Sequence, residues 1–584
     1  MIRAALFNRR TLRIALLLAP ALAAAEGRAL AQSATDSSSS SASTSASSAS
    51  ASASATSASA DSLLPDSALT GAAPFGSAVR LGALPSPFAS AGGLNSPLAT
   101  PTGLQFTPSI GVSEEAIIGG FPKYLGLNNE FITSLTPGLR VAGSAPIGRI
   151  ELDYQPSFEF YAHENQDSGI SQDLNGSFST TLIPNRLTLN ASAYLTQQAT
   201  AGGYAPGGYQ AIGPHQRTTT QSYLISPRYR QKFIGLGSLD VIYSAQYTSQ
   251  NGNRAALSGG QQPYFTPNDV FSQTGRARFT TVPLYANIDD RVSLTATQYI
   301  GSGILNNSSV LRGQDEIRYA IRPHDLIFVS GGYEDLRYQG LPPTHIADAT
   351  WSVGVQLHPR PHVDLVVSYR HRDGFNAPYL RATLQLTPRT TLSANYAETL
   401  ATQAQSVAAN LAGATVNFSG QAVGGVGQTP LLLTNNSLSV QSGLFRNHQF
   451  SIATTTRWSR DTLSLNLTRS NETLVANAPG TLGFSQHSLS ASANFSHQLT
   501  PNASISTYFD YSSINNPVLG SPSNTGNVPV YAGAITGRYR TAHQLQFSLQ
   551  LAVTNTSFNG LTGSQASTGN GVQTSITFGV QKVF

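Results

Sequence analysis

The sequence predicts an all-β fold: a transmembrane antiparallel up-and-down β-barrel of about 22 strands, between roughly 18 and 24, with a disordered N-terminal segment. Three observations predict it. Apolar and polar residues alternate over about ten positions at a time from residue 105 onward. Short turns take turns with long Gly-, Asn-, Ser- and Gln-rich loops. The chain is also poor in charge without being rich in apolar residues. Only 11% of its 584 residues are charged and 40% are hydrophobic, against about 25% charged in ordinary soluble domains.

Three segments are expected in order: residues 1–31, 32–104 and 105–584. The first reads as a secretory signal peptide. Arg9, Arg10 and Arg13 form its positive end, and Ile14 to Ala25 is an apolar run too short to span a bilayer. Ala29-Leu30-Ala31 supplies a small-residue cleavage site, so cleavage is expected near Ala31. The Arg9-Arg10 pair also fits a twin-arginine leader, but a barrel is carried unfolded, which favours the general route. This leader holds five arginines against Glu26, so +4 of the formal +5 charge belongs to it. The basic balance therefore implies no nucleic-acid partner.

Residues 33–60 are almost entirely Ser and Ala, and 61–104 are rich in Pro, Gly, Ala and Leu. Neither carries an apolar stripe, so both read as a low-complexity periplasmic linker. Cysteine is absent, which excludes disulfides, thiolate metal sites and cysteine nucleophiles.

From residue 105 the alternation sets the architecture. In Leu187-Thr188-Leu189-Asn190-Ala191-Ser192-Ala193-Tyr194-Leu195 the odd positions are apolar and nearly all even ones polar. Leu545 to Leu551, Leu463 to Leu467, Val363 to Tyr369, Leu380 to Leu386 and Leu239 to Tyr247 follow the same rule. Period two gives a strand one apolar and one polar face. About ten tilted residues cross a bilayer's hydrocarbon. Strands are expected with centres at about 110, 135, 154, 178, 191, 225, 243, 277, 295, 317, 329, 353, 367, 383, 394, 453, 465, 491, 507, 536, 549 and 577. A propeller would bury both faces of most strands and would not leave Gln546, Ser548 and Gln550 along one whole face. Closure is expected because backbone groups in hydrocarbon need partners within the protein.

Short turns are read at Pro184-Asn185-Arg186, Arg322 to Asp325, Pro359-Arg360-Pro361, Pro388-Arg389-Thr390, Arg460-Asp461, Pro501-Asn502 and Thr541-Ala542-His543. Between them lie long loops near 199–216, 251–267, 339–346, 401–443, 473–484, 514–529 and 559–570. Short connections at one end and long ones at the other fit an outer-membrane barrel of a Gram-negative bacterium. At the C-terminus Phe584 follows Val580, Phe578 and Ile576, all expected on one face. A terminal aromatic after an alternating strand resembles the signal read by the barrel-assembly machinery, an expected partner beside outer-membrane lipid. Lys582 departs from that signal, where an apolar residue is usual.

Parity directs charge inward, since an outward Arg at the midplane costs about 2–4 kcal/mol. Candidate lumen-lining residues are Arg228, Arg230, Arg276, Arg278, Arg318, Arg370, Arg372, Arg381, Arg538 and Arg540, with Glu151, Asp153, Asp240 and Asp364. Glu159, Glu316 and Glu334 join them. One reading is a polar conduit whose arginines attract anionic or hydroxyl-rich solutes. The other is a network of ion pairs that stiffens the wall. Tyr154, Tyr161, Tyr247, Tyr369, Tyr396, Tyr511 and Tyr539 are expected in interfacial girdles.

No catalytic, cofactor or metal site is expected. His358 and His362 have a zinc-like spacing, but Pro359 and Pro361 between them forbid the helix that would put both on one face. His371 and Asp373 form the best hydrolase candidate, yet no serine nucleophile can be tied to them.

The segments Phe106 to Glu115, Phe131 to Leu139 and Ile150 to Tyr154 resemble the opening hairpins of the uncharacterised outer-membrane barrels associated with exosortase (PEP-CTERM) and exopolysaccharide gene sets. The likeness covers about a sixth of the chain. It implies an outer-membrane location and a link to surface polysaccharide or its export machinery, and it supplies no catalytic residues. The long Ser/Ala segment and the loop near 401–443 depart from that pattern. Two roles follow as expectations: a passive, porin-like conduit or assembly component, and a plugged barrel that binds partners through its long loops.

Overall fold

Hydrogen bonding joins 22 of the alternating segments into one antiparallel sheet whose last strand pairs with its first. The computed structural model describes residues 103–119, 129–163, 165, 168–199, 217–252, 268–282, 287–322, 325–358, 363–412, 415–416, 422–424, 429–430, 443–478, 485–517, 525–557 and 570–584. The expected leader, and the linker up to residue 102, lie outside the described residues, as do the turn at Pro359–Pro361 and His362.

The barrel strands are β1 (Gly103–Ile118), β2 (Glu130–Ala145), β3 (Gly148–Tyr161), β4 (Gly169–Ile183), β5 (Leu187–Ala199), β6 (Arg217–Phe233), β7 (Gly237–Gly252), β8 (Asn268–Thr281), β9 (Ile288–Gly301), β10 (Ser309–Arg322), β11 (Asp325–Tyr338), β12 (Thr344–Leu357), β13 (Val363–Arg372), β14 (Phe375–Thr387) and β15 (Thr390–Thr402). A helix, α1 (Gln403–Ala412), and three short strands, β16 (Thr415–Val416), β17 (Ala422–Gly424) and β18 (Thr429–Pro430), follow. The wall resumes with β19 (Leu444–Arg457), β20 (Asp461–Ala476), β21 (Gln486–Thr500), β22 (Ala503–Pro517), β23 (Thr525–Arg540), β24 (Leu545–Ser557) and β25 (Asn570–Val583).

Each expected strand centre falls on one of these 22 strands. Observed strands run from 10 to 17 residues, longer than the expected ten or so, because most continue beyond the alternating core. The two faces divide as period two requires. On β24, Leu549 and Leu551 are 56% and 46% exposed, whereas Gln546, Ser548 and Gln550 are 2% exposed or less. The exposed side is the barrel exterior and carries the apolar belt; the buried side is the inner wall.

The turns obey local chemistry. Asn185 takes a left-handed φ of 60° in the turn after β4, a conformation Asn tolerates well. Prolines interrupt the ladder without shifting it. The β2–β3 pairing lapses between Leu135↔Phe158 and Leu139↔Tyr154, where Pro137 and Pro156 lack a donor.

Closure runs from Ser109↔Val583 to Ile118↔Thr574. Across this seam Gln581 Nε2 donates to Ser109 Oγ at 3.3 Å, and Phe584 N donates to Pro108 O at 2.9 Å. Ile576 and Phe578 are exposed on the belt, and Phe584 is exposed at its edge. Lys582 shares their face by register. Its ammonium donates to the carbonyl of His543 in the neighbouring turn and lies 5.9 Å from the Phe584 ring centroid. The long stem thus covers the belt's edge while the charge leaves it.

Two features of the long-loop end differ from expectation. The β13–β14 connection is a two-residue turn, Asp373-Gly374, with φ of 57° and 78°. That is the type I′ chemistry of a tight hairpin. The wall is therefore low there, and the loops after β11 and β20 meet: Leu341 and Asn477 exchange backbone hydrogen bonds of 2.8 and 3.1 Å. Tyr161 is the second. It is 2% exposed, its hydroxyl donates to Glu159 at 3.3 Å, and it packs with Ile117 and Ile132 on the inner side instead of joining a girdle. Its odd number puts it on the same face as Glu151 and Asp153. Of the other six tyrosines, Tyr247 stacks on Tyr223, Tyr369 packs on Trp351, and Tyr511 packs on Tyr531, all on the outer face. Tyr154, Tyr396 and Tyr539 share that face by register.

Candidate functional site

The inner wall is the candidate site, and the register places all fourteen candidate lumen-facing residues on it. Ladder neighbours share a face, so one anchored residue fixes the next. Arg140 pairs with Asp153, Arg230 with Asp240, and Asp240 with Arg278. Gln246, beside them on β7, donates to the carbonyl of Ala408 on α1, the helix that enters the interior, which fixes that face as inward.

Ion pairs knit one arc of this wall, from β6 to β14. Asp240 accepts from Arg228 Nε at 2.9 and 3.1 Å and from Arg228 Nη2. Arg230 and Arg278 approach the same carboxylate at 3.7 and 3.6 Å. Arg276 lies one inward position from Arg278. Further round, Arg318 pairs with Asp289, and Arg291 with Glu316 at 3.4 Å. Arg312 bridges Glu334, at 3.0 Å, and Asp373. Arg381 lies 3.5 Å from Asp364. Arg370 stacks on Tyr379, 4.8 Å from its centroid, and donates to the Glu398 carbonyl at 3.3 Å. Arg372 faces inward beside it by register. On β3, Glu151 accepts from Arg149 at 2.6 Å. These are charge-assisted contacts, the strongest class of side-chain hydrogen bond.

A second arc, from β21 to β25, is built differently. Its inward residues include Ser488, Ser490, Ser492, Ser504, Ser506, Asp510, Ser512, Thr536, Ser548, Gln550, Ser575 and Thr577. Arg538 and Arg540 lie at its short-turn end. Hydroxyls and amides dominate, and Asp510 is the one acid the described ladder turns inward there.

The mouth at the long-loop end is partly filled. Thr402 and Gln405 cap α1 reciprocally: Gln405 N donates to Thr402 Oγ1 at 3.2 Å, and Thr402 N donates to Gln405 Oε1 at 2.9 Å. This is a capping box, and its Thr-x-x-Gln spacing is the sequence signal that marks the helix. α1 leaves β15 and lies against β7 and β6, eight and nine strands away in the order of the sheet. Gln246 Nε2 donates to the Ala408 carbonyl at 2.9 Å. β16 lies against β4. Beside α1 a short 3₁₀ turn, Gly303–Leu305, buries Ile304 and Leu305 against Leu336, Tyr338, Leu400 and Leu444. An apolar cluster and a crossing helix thus narrow the interior above the charged arc.

The hydrolase candidates are not brought together. His371 lies on the outer face and bonds Asp348 at 2.9 Å and Asn376 at 2.8 Å. Asp373 is buried, accepts from Arg312, and lies 3.5 Å from Leu400 N. His358 contacts Asp364 at 3.2 Å. Among the described residues no group of three or more His, Asp or Glu side chains is arranged to hold a metal.

Comparison with solved structures finds other barrels. The chain is similar to the apoprotein form of the FrpB iron transporter (F5-1 variant) of Neisseria meningitidis, at 11% identity and a TM-score of 0.45 over 82% of this chain and 81% of that one. It is also similar to a mutant of the ferric enterobactin receptor PfeA of Pseudomonas aeruginosa, at 13% identity and a TM-score of 0.36 over 83% and 81%. A third is the outer membrane protein OpdK of the same organism, at 8% identity and 0.31 over 82% and 99%. No protein-family model matches the sequence, and no curated relative does.

Proposed function

We propose that this protein is a non-enzymatic outer-membrane conduit, or a component of a surface-assembly apparatus, that passes hydrophilic solutes. One observation carries the reading: a closed barrel with an apolar exterior has a mainly polar inner wall. A barrel of this strand number is wide enough for an aqueous interior unless segments fill it. Arginines on the β6–β14 arc set a local positive field, and α1 sets the width at the mouth. Pore radius and wall charge then decide what passes, with no chemical step. The short-turn end lies in the periplasm and the long loops outside, in the orientation usual for such barrels. The resemblance of β1–β3 to barrels of exopolysaccharide gene sets supports surface polysaccharide as the solute class or the assembled product.

A second reading is favoured by the filled mouth: a closed barrel that binds partners through its long loops. Planar-bilayer recording of the purified protein separates the two. Discrete conductance steps support the conduit. A silent bilayer containing correctly folded protein supports the binding role.

A further inference from the structure

Strand β15 leaves the wall before it ends. β14 and β15 pair only from Leu380↔Tyr396 to Thr387↔Thr390, although β14 begins at Phe375 and β15 continues to Thr402. Above that point no backbone ladder joins them. Tyr369, which packs on Trp351 in the outer girdle, is level with Pro378 in the unpaired part of β14. The split therefore opens at the girdle, where water can answer bare strand edges. Burial shows where β15 goes. Glu398, Leu400 and Thr402 share the outer face with Tyr396 by alternation, and they pair with His448, Arg446 and Leu444 of β19. Yet Leu400 is 7% exposed, Thr402 3% and Leu444 0%. Leu400 and Leu444 pack in one cluster with Leu336 and Tyr338, which lie on the inner face of β11, and with Ala476 at the end of β20. The ends of β15, β19 and β20 thus pass inside the wall of β10–β14 as an inturned flap that carries α1.

The bonds across the split come mostly from side chains. Arg370 donates to the Glu398 carbonyl at 3.3 Å, Leu400 N lies 3.5 Å from the Asp373 carboxylate, and the Arg446 guanidinium lies 4.3 Å from the Phe375 ring centroid. Gln405 on α1 donates to the Tyr338 hydroxyl at 3.5 Å. A backbone pair, Leu341↔Asn477, ties the loop after β11 to the end of β20. The overlap also buries charge: Arg312, Glu334 and Asp373 on the outer layer and Glu398 on the flap. Glu334 Oε1 and Arg446 Nε have no hydrogen-bond partner among the described residues. Such groups cost free energy while the layers are closed and recover water when they part. That offsets the apolar packing and brings the closed and open arrangements nearer in free energy.

We propose that the inturned flap is a gate: the ends of β15, β19 and β20, with α1, part from the inner face of β10–β12 and widen the mouth. The inference rests on the conduit reading for its purpose, but the motion can be measured apart from it. The chain has no cysteine, so introduced thiols report without background. Leu341 and Asn477 exchange two backbone bonds, a pairing that sets Cα atoms about 5.5 Å apart and within disulfide range. The first arm records the Leu341→Cys/Asn477→Cys protein in planar bilayers, oxidised and then reduced. The disulfide is expected to cut conductance steps about tenfold, and reductant to restore them. The second arm treats the Leu444→Cys protein in detergent with a water-soluble maleimide. The thiol is expected to react in the folded protein. Adding Asp373→Asn, which keeps a residue suited to the left-handed turn and removes its charge, is expected to speed the reaction about tenfold. Folding is checked by heat-modifiable gel migration. Leu400→Cys and Arg446→Met stand in for Leu444→Cys and Asp373→Asn if either misfolds.

A thiol that reacts in folded protein while every form stays silent in the bilayer would sink the conduit and leave the gate standing. Conductance indifferent to the disulfide overturns the gate and keeps the conduit. A thiol that reacts only after unfolding shows the layers to be fixed and overturns the gate as well.

Discussion

The β6–β14 arc and the β21–β25 arc share one backbone plan and differ in how their inner side chains are answered. On the first, carboxylates meet guanidiniums: Asp240 serves Arg228, Arg230 and Arg278, and Arg312 serves Glu334 and Asp373. On the second, Asp510 and Ser512 have no partner among the described residues. A wall segment that answers its own polar groups gains stiffness and keeps little capacity for solute. A segment with unanswered groups gives up stability and keeps that capacity. The difference teaches that a wall's charge does not tell how many of its polar groups stand free, because charges inside a wall are often already engaged with each other.

The comparison can be broken most forcefully at Asp240. Removing it in Asp240→Ala leaves three arginines crowded without their shared carboxylate, and the Arg228 side chain is only 8% exposed. We expect a loss of ~3–5 kcal/mol, the usual penalty for orphaning a buried charge. The midpoint of urea unfolding, followed by gel migration in lipid vesicles, checks it. A loss below one kcal/mol, on the scale of an exposed pair, would show the ion-pair network to be ornamental.

Asp510→Ala is expected to move stability the other way, by ~1–3 kcal/mol, because an unanswered buried carboxylate is removed. The same unfolding assay reads the sign, and a destabilised variant would place a partner on Asp510 and erase the contrast between the arcs. Arg230→Ala sharpens the picture at its weak end. Its side chain is 49% exposed and 3.7 Å from Asp240, so the expected change is within ~1 kcal/mol. A larger loss would mean that the network acts as one unit instead of resting on the Arg228–Asp240 pair.

Much of this architecture was readable from residue order, because period two is a local property. Alternation located the strands, and parity alone turned Arg228, Arg276 and Asp240 to the face where the register puts them. What escaped depends on contacts far apart in sequence. The Leu341–Asn477 bridge joins two loops more than 130 residues apart in sequence, and the reach of α1 from β15 to β7 leaves no periodic trace. Other features carried signals that went unread. Asp373-Gly374 has tight-hairpin chemistry, and Thr402-x-x-Gln405 marks a helix start. Asp510 stands alone among serines and tyrosines from Ser504 to Ser512. Tyr161 shows the opposite error, since residue type suggested a girdle where parity with Glu159 pointed inward.

The hydrogen bond from Gln581 to Ser109 ties residues 472 positions apart. Joining ends so distant carries a loop entropy cost of about 5 kcal/mol, and no earlier strand can substitute, because β1 has to wait for β25. Until β25 seats beside β1, both margins of the sheet stay raw and ready to stick to whatever β-structure lies nearby. A chain lacking β25 would therefore be an aggregation hazard, not a smaller barrel.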